Sequence, residues 1–311
     1  MGNESTTVRE ILRFYKNFKV ETRKSKKNDR KKRLKTVTLP AFTSHPPGNE
    51  YIEKIFRLPL GEDRCKLNIT GINGNIILTG YEGDMVCAKI MYKPKTYDAT
   101  IMFTSDKTGK YFLTYDKENF DSVWAEIYVP ARFFREIRIK ANNGKVLVSG
   151  ISAGLLLAAC AGCELKNTYA ANLRVESNKR NAYLQNVSAM QGKVSLSGGR
   201  LHAVGLDVKE LELSAQNGNV ALAAKCERHM DYKWNLNCSD GKLNIDLPEK
   251  QGLGYYILAQ SRVSGVKMAL KNMDILMSGH NFIEAKSQKY DISLKKIYLK
   301  VDALRAPIDI Q

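Results

Sequence analysis

The sequence predicts a mainly β fold built from a repeated strand, corner, strand unit and preceded by a basic helical arm. Three observations carry this expectation. Asn-Gly steps recur at Asn73-Gly74, Asn143-Gly144 and Asn217-Gly218, with variants at Gln191-Gly192 and Asp240-Gly241. Apolar and polar residues alternate on both sides of these glycines. The first 50 of the 311 residues hold 13 Lys or Arg against 5 acids, a net of +8 out of +17 for the whole chain.

The arm comes first in the chain. Val8, Ile11, Leu12, Tyr15 and Phe18 fall at intervals of three and four, and Ser5, Thr6 or Thr7 is placed to cap the start, so a helix is expected over residues 4–35. The stretch beyond Phe18, "RKSKKNDRKKRLK", is almost purely positive and either extends the helix or forms a solvated arm, since like charges repel along it. Arg23, Lys24, Lys26, Lys27, Arg30, Lys31, Lys32 and Arg33 are therefore the candidate polyanion-binding residues. Pro40, Pro46, Pro47 and Gly48 then break any helix. Two domains follow: a basic helical arm and Pro-rich linker over 1–50, and a β domain over 51–311.

In the body the period changes to two. Residues two and four places after the glycines are Ile76 and Leu78, Val146 and Val148, Val194 and Leu196, Val220 and Leu222, and Leu243 and Ile245, all apolar. Upstream stand Leu67 and Ile69, Ile137 and Ile139, Leu211 and Leu213, and Trp234 and Leu236. This is the pattern of strands with one buried face. A degenerate copy keeps Leu173, Val175, Ala182 and Leu184 but carries Arg180 where the glycine would stand. Two architectures fit. Asn-Gly between alternating strands is a hairpin signal, because a type I′ turn needs positive φ at both central residues. It serves equally as the repeated corner of a solenoid.

The stretch "IYVPARFFREIRIKANNGKVLVSGI", residues 127–151, resembles a bacterial family of unknown function labelled "putative adhesin". The matching residues are Val129-Pro130 closing a strand, Ile137 and Ile139 before the corner, Asn143-Gly144 at it, and Val146, Val148 and Gly150 after it. The copies around Gly192, Gly218 and Gly241, and the earlier "KLNITGINGNIILTG", extend the resemblance over roughly residues 55–300. It implies a right-handed parallel β-solenoid of uncharacterised function with no catalytic residues. Members are often exported or linked to envelope-stress systems through membrane segments.

Chemistry is sparse. Four histidines, His45, His202, His229 and His280, form no metal-binding spacing, and no nucleotide, cofactor or nucleophile motif appears. Asp207, Asp231, Asp240 and Asp246 are scattered over different units. The expectation is accordingly no cofactor and no enzyme. Cys160-Ala-Gly-Cys163 has redox spacing but small apolar surroundings, which favours core packing. In Phe133-Phe134 and Tyr255-Tyr256 one ring of each pair should face in and one out; core filling accounts for the inner ring and the cap of a solenoid for the outer one, the alternative being a stacking platform for carbohydrate or bases.

Two functions fit these features. One is a β-solenoid scaffold or interaction protein tethered by its basic helix to an anionic membrane surface or acidic polymer, with a protein partner or self-association through the solenoid ends. The other is a sequence-tolerant nucleic-acid-associated protein using the same arm. The N-terminal sequence lacks a continuous apolar leader, so a cytoplasmic location is expected, peripheral at the inner membrane face. The helix at 8–18 or the strands of "YDISLKKIYLKVDAL" would cap the solenoid.

Overall fold

The computed structural model describes residues 41–311 other than 45–47, 49, 62–64, 132 and 251. The helix expected over 4–35, the basic cluster from Arg23 to Arg33, and His45 lie outside the described residues. Among the described residues the only helical element is a 3-10 turn at Lys117–Asn119, and the other elements are strands.

The first seven strands are β1 (Ile52–Pro59), β2 (Lys66–Ile72), β3 (Ile76–Tyr81), β4 (Met85–Pro94), β5 (Ile101–Ser105), β6 (Lys110–Tyr115) and β7 (Phe120–Pro130). The middle of the chain forms β8 (Phe133–Ala141), β9 (Lys145–Ser149), β10 (Ser152–Cys160), β11 (Gly162–Ser177), β12 (Ala182–Leu196), β13 (Leu201–Ala215) and β14 (Val220–Ala224). The last third adds β15 (Asp231–Cys238), β16 (Leu243–Asp246), β17 (Leu253–Ser261), β18 (Val266–Met268), β19 (Met273–Gly279), β20 (Phe282–Ser287), β21 (Lys295–Ala303) and β22 (Ile308–Ile310).

Strand pairing decides between hairpin and solenoid. Asn73-Gly74 joins β2 to β3, yet β2 pairs in parallel with β8 and β3 in parallel with β9. Two parallel ladders result. The first runs β2, β8, β10, the second halves of β11, β12 and β13, then β15, β21 and β17. The second runs β3, β9, the first halves of β11, β12 and β13, then β14, β16, β22 and β18. One strand from each ladder makes a coil, and the coils stack.

The period-two pattern translates directly into the interior. In the first ladder Leu67, Ile137, Leu156, Leu173, Gly192, Leu211, Trp234, Leu299 and Ile257 are in register on successive strands. Ile76, Val146, Cys163, Ala182, Leu201, Val220, Leu243, Ile308 and Val266 do the same in the second. All the apolar residues among them are buried in one continuous core. Each fully buried aliphatic side chain stabilises the stack by about 1.5–3 kcal/mol before entropy is counted. Gly192 is therefore no corner. It leaves room for Val208 and Leu211, and the corner of that coil is at Gly199.

The Asn-Gly corners exist for close approach more than for turn geometry. Of the three steps, only Asn217 has positive φ, at 53°. A Cβ at Gly144 would stand 1.8 Å from the Gly74 carbonyl oxygen, and one at Gly218 2.0 Å from that of Gly199. Asparagines lace the same corner: Asn75 Oδ1 accepts from Lys145 N at 2.9 Å, and Asn219 Oδ1 from Lys242 N at 2.9 Å. At the opposite bend Asn167 and Asn186 take φ of 48° and 52°, and the Asn186 amide donates to Asn167 Oδ1 at 3.1 Å.

Antiparallel strands close the two ends. At one end β7, β4 and β1 extend the second ladder, while β6 and β5 extend the first. At the other end β20 pairs with β17, and β19 with β20. The strands of "YDISLKKIYLKVDAL" are no cap: β21 lies between β15 and β17, and β22 between β16 and β18. Residues 41–44 lie on β7, where the buried Glu126 carboxylate accepts from Thr43 N at 2.9 Å, Thr43 Oγ1 at 3.1 Å, Ser44 N at 3.0 Å, and the Ser44 hydroxyl. Tyr128 donates to the same carboxylate at 2.9 Å, and Lys89 Nζ reaches the Ser44 carbonyl at 3.0 Å.

Candidate functional site

With the inner faces committed to the core, any binding surface lies on the outer faces of the coils. On the second ladder two outward columns run side by side. Leu147, Glu164, Tyr183, His202, Ala221, Asn244 and Asp309 form one. Ser149, Lys166, Gln185, Val204, Ala223 and Asp246 form the other. Large residues on one side of small ones give this face relief. Tyr183 and His202 meet edge to face at 6.4 Å, whereas Ala221 and Ala223 leave the neighbouring coil low.

Three shallow cavities of about 420, 410 and 200 Å³ follow this face from coil to coil. The first is lined by Lys145, Lys179, Arg180 and Glu164, and the third by Lys242, Asp246 and Asp309. The balance of charge along the groove thus passes from positive to slightly negative. Tyr183 and Val204, 45% and 42% exposed, are its apolar contacts, and Asn181 Nδ2 donates to the Tyr183 hydroxyl at 3.0 Å.

The sequence-selected acids do not converge. Asp207 is buried and accepts from the Tyr232 hydroxyl at 2.8 Å and from Arg228 N at 3.1 Å, which fixes the 225–230 loop between β14 and β15. Asp240 pairs with Arg305 at 2.6 Å, Asp246 lies in the groove, and Asp231 is on the first ladder's outer side. Near Asp207, burial pushes the Cys226 thiol up to about 12, and burial lowers His229 so that its imidazole stays neutral. A nucleophilic cysteine needs the opposite shift. Among the described residues no three His, Cys, Asp or Glu side chains are grouped to hold a metal ion.

Cys160 and Cys163 are buried and face each other across the corner between β10 and β11. A hydrogen bond from Cys163 draws Cys160 below its ordinary value, and the same bond raises Cys163. Of the aromatic pairs, Phe134 and Tyr255 face in, while Tyr256 lies on the outer face. The eight basic residues from Arg23 to Arg33 lie outside the described residues and cannot be assigned to either groove or platform. No helix among the described residues is long and apolar enough to cross a membrane.

Parallel ladders, a continuous apolar interior and laced corners define a β-solenoid protein. Residues 96–300 match the family model Toastrack DUF4097, and the chain belongs to that family. No curated protein matches it. Solved structures similar to it include a putative cell adhesion protein from Clostridium sporogenes, at 15% identity over 84% of this chain and 98% of that one, with a TM-score of 0.24. A putative adhesin from Bacteroides fragilis shares 11% identity over 86% and 100% of the two chains, with a TM-score of 0.36. Another from Parabacteroides merdae shares 12% over 64% and 90%, with a TM-score of 0.35.

None of these names is that of an enzyme. The cytoplasmic location expected from the sequence is corrected: it is at odds with the adhesion and adhesin names that the similar structures carry. That expectation rested on the charge interleaved with apolar residues over the first 18 positions, which does not determine where a folded domain works.

Proposed function

We propose that the protein is a non-enzymatic, adhesin-like interaction module of the cell envelope. Residues 51–311 form a β-solenoid scaffold that presents its outer groove to a partner, and residues 1–50 form the basic arm and linker. The coils wind right-handed, as the family resemblance implies. The groove over Tyr183, His202 and Val204, graded from positive to slightly negative, is the observation that carries this reading. Exposed aromatic and apolar groups within a polar rim are what a protein interface uses. Arg23, Lys24, Lys26, Lys27, Arg30, Lys31, Lys32 and Arg33 hold an anionic surface or acidic polymer, each basic residue contributing on the order of 1 kcal/mol near such a surface.

The test compares full-length protein with a variant in which those eight residues are replaced by Gln, on vesicles containing anionic lipid and on mixed-sequence duplex DNA across a salt series. Vesicle binding that is lost in the variant supports the tether. Tighter binding to DNA, with a log-log salt slope of roughly 0.9 per phosphate neutralised, would move the arm to nucleic acid. Binding that is equal in both proteins would remove the arm from the function.

A further inference from the structure

We infer that the outer face of the first ladder, where β13, β15, β21 and β17 meet, carries a binding site for an anionic pyranose unit of an acidic polysaccharide. Its floor is aromatic. Tyr256 and Tyr298, in register on β17 and β21, stack with centroids 5.5 Å apart and planes 7° from parallel. Tyr290 tilts against Tyr256 at 6.1 Å, so the rings left to line the opening are Tyr298 and Tyr290. The Tyr256 hydroxyl is bonded to Glu284, which fixes its ring.

Cations surround these rings. Lys286 and Lys296 each place an ammonium 5.4 Å from the Tyr290 centroid. Beside Tyr290 and Tyr298 lies a cavity of about 220 Å³ whose charged lining is Lys209, Lys233, Lys296, Glu210 and Asp231. Among the described residues none of these three lysines lies within 4.0 Å of a carboxylate. The contrast is a larger cavity of about 780 Å³ near Tyr255, where Lys250 pairs with Glu227 at 2.7 Å and Lys271 with Glu249 at 3.9 Å. Three lysines against two carboxylates leave the smaller opening with a net positive charge, which attracts an external anion.

The ligand class follows from combining these groups. A pyranose ring has an apolar face of C–H bonds that lies on an aromatic ring, and its hydroxyls need acceptors. Glu210 and Asp231 supply those acceptors, and the lysines bind a carboxylate or sulfate on the ring. DNA fits less well, because its phosphodiester backbone carries no hydroxyl to donate to Glu210 and Asp231, whereas a uronate ring offers several. This site is separate from the groove on the second ladder and does not depend on it.

The experiment uses calorimetric titration of the protein carrying the eight arm substitutions, so that arm binding does not intrude. The probes are galacturonic acid oligomers, neutral galactose oligomers of equal length, and oligothymidylate. Galacturonate oligomers should bind and weaken with salt, with neutral oligomers at least about tenfold weaker, a difference of about 1.4 kcal/mol. Tyr298→Ala and Lys233→Gln should each weaken binding about tenfold. Tyr298→Phe, which keeps the ring face, should bind like the parent, as should Tyr183→Ala in the other groove. Lys233 is exposed on its strand, so Lys233→Gln tests the site even if Tyr298→Ala fails to fold. The inference is overturned by absence of galacturonate binding, by equal affinity for the neutral oligomers, by unchanged affinity in Lys233→Gln, or by tighter binding of oligothymidylate.

Discussion

Gly144→Ala should be among the most damaging single-methyl additions in this protein. The added Cβ would stand 1.8 Å from the Gly74 carbonyl oxygen, where real Cβ contacts do not fall below 3.0 Å, so the coils must part locally by at least 1.2 Å (3.0 less 1.8). Three hydrogen bonds join these two corners: Asn142 N to Ile72 O at 2.8 Å, Asn142 Nδ2 to Asn73 Oδ1 at 3.1 Å, and Lys145 N to Asn75 Oδ1 at 2.9 Å. At about 1 kcal/mol each, losing two or three costs about 2–3 kcal/mol, with overpacking strain in addition. Gly198→Ala is the matched control, since nothing lies within 4 Å of its added Cβ and its φ is not in the left-handed region. It should be neutral or stabilise by up to about 1 kcal/mol through the unfolded chain. Urea unfolding followed by fluorescence of Trp124 and Trp234 measures both. A Gly144→Ala protein within about 0.5 kcal/mol of the parent, or a Gly198→Ala protein equally destabilised, would refute close approach as the reason for the corner glycines.

Two further outcomes follow from buried groups. Burial works to raise the Glu126 carboxyl, but its Ser44, Thr43 and Tyr128 donors outweigh this and hold it below the ordinary glutamate value of 4.5. Its contribution to stability is therefore complete above the unfolded-state value and is lost as pH falls through the lower folded one. Glu126→Gln should flatten that acid limb and speed amide hydrogen exchange at Thr43 and Ser44. All six cysteines are buried. Iodoacetamide at pH 8 should accordingly label the native protein slowly, and mass spectrometry should find Cys160 modified ahead of Cys226, whose thiol burial raises to about 12.

The repeat was legible wherever a residue's own neighbours dictate its environment. Alternation located Leu67, Ile69, Ile76 and Leu78, and their counterparts in later coils, as core residues, and all are buried. The unit lacking a glycine, with Arg180 at its corner, was also visible: a Cβ on Gly199 would meet the Arg180 backbone in the adjoining coil. Gly192 misled because an inward glycine making room for Val208 and Leu211 has the same local sequence as a corner. The opposite bend was missed although it has a signal, Asn or Gly at 150, 167, 186 and 205, close to one coil apart. The outer groove and the tyrosine platform were only partly legible. One ring of the Tyr255-Tyr256 pair was expected to face out, but the stacking of Tyr256 on Tyr298 depends on which strand lies beside β17, and no local pattern encodes that.

The placement of β21 and β22 bears on how the chain is made. Residues 253–268 leave the ribosome before residues 295–310, yet the later segment occupies the slot between β15 and β17 and between β16 and β18. The stack therefore cannot assemble by adding each new coil to the last one. Until residue 310 is available, β15 and β17 each present an open edge with no permanent partner on that side, and such edges recruit other strands. Two coils must wait, separated or mispaired, for a third to be drawn between them. Completion by insertion makes this end of the molecule the last to close, because the strands that fill it are the last residues made.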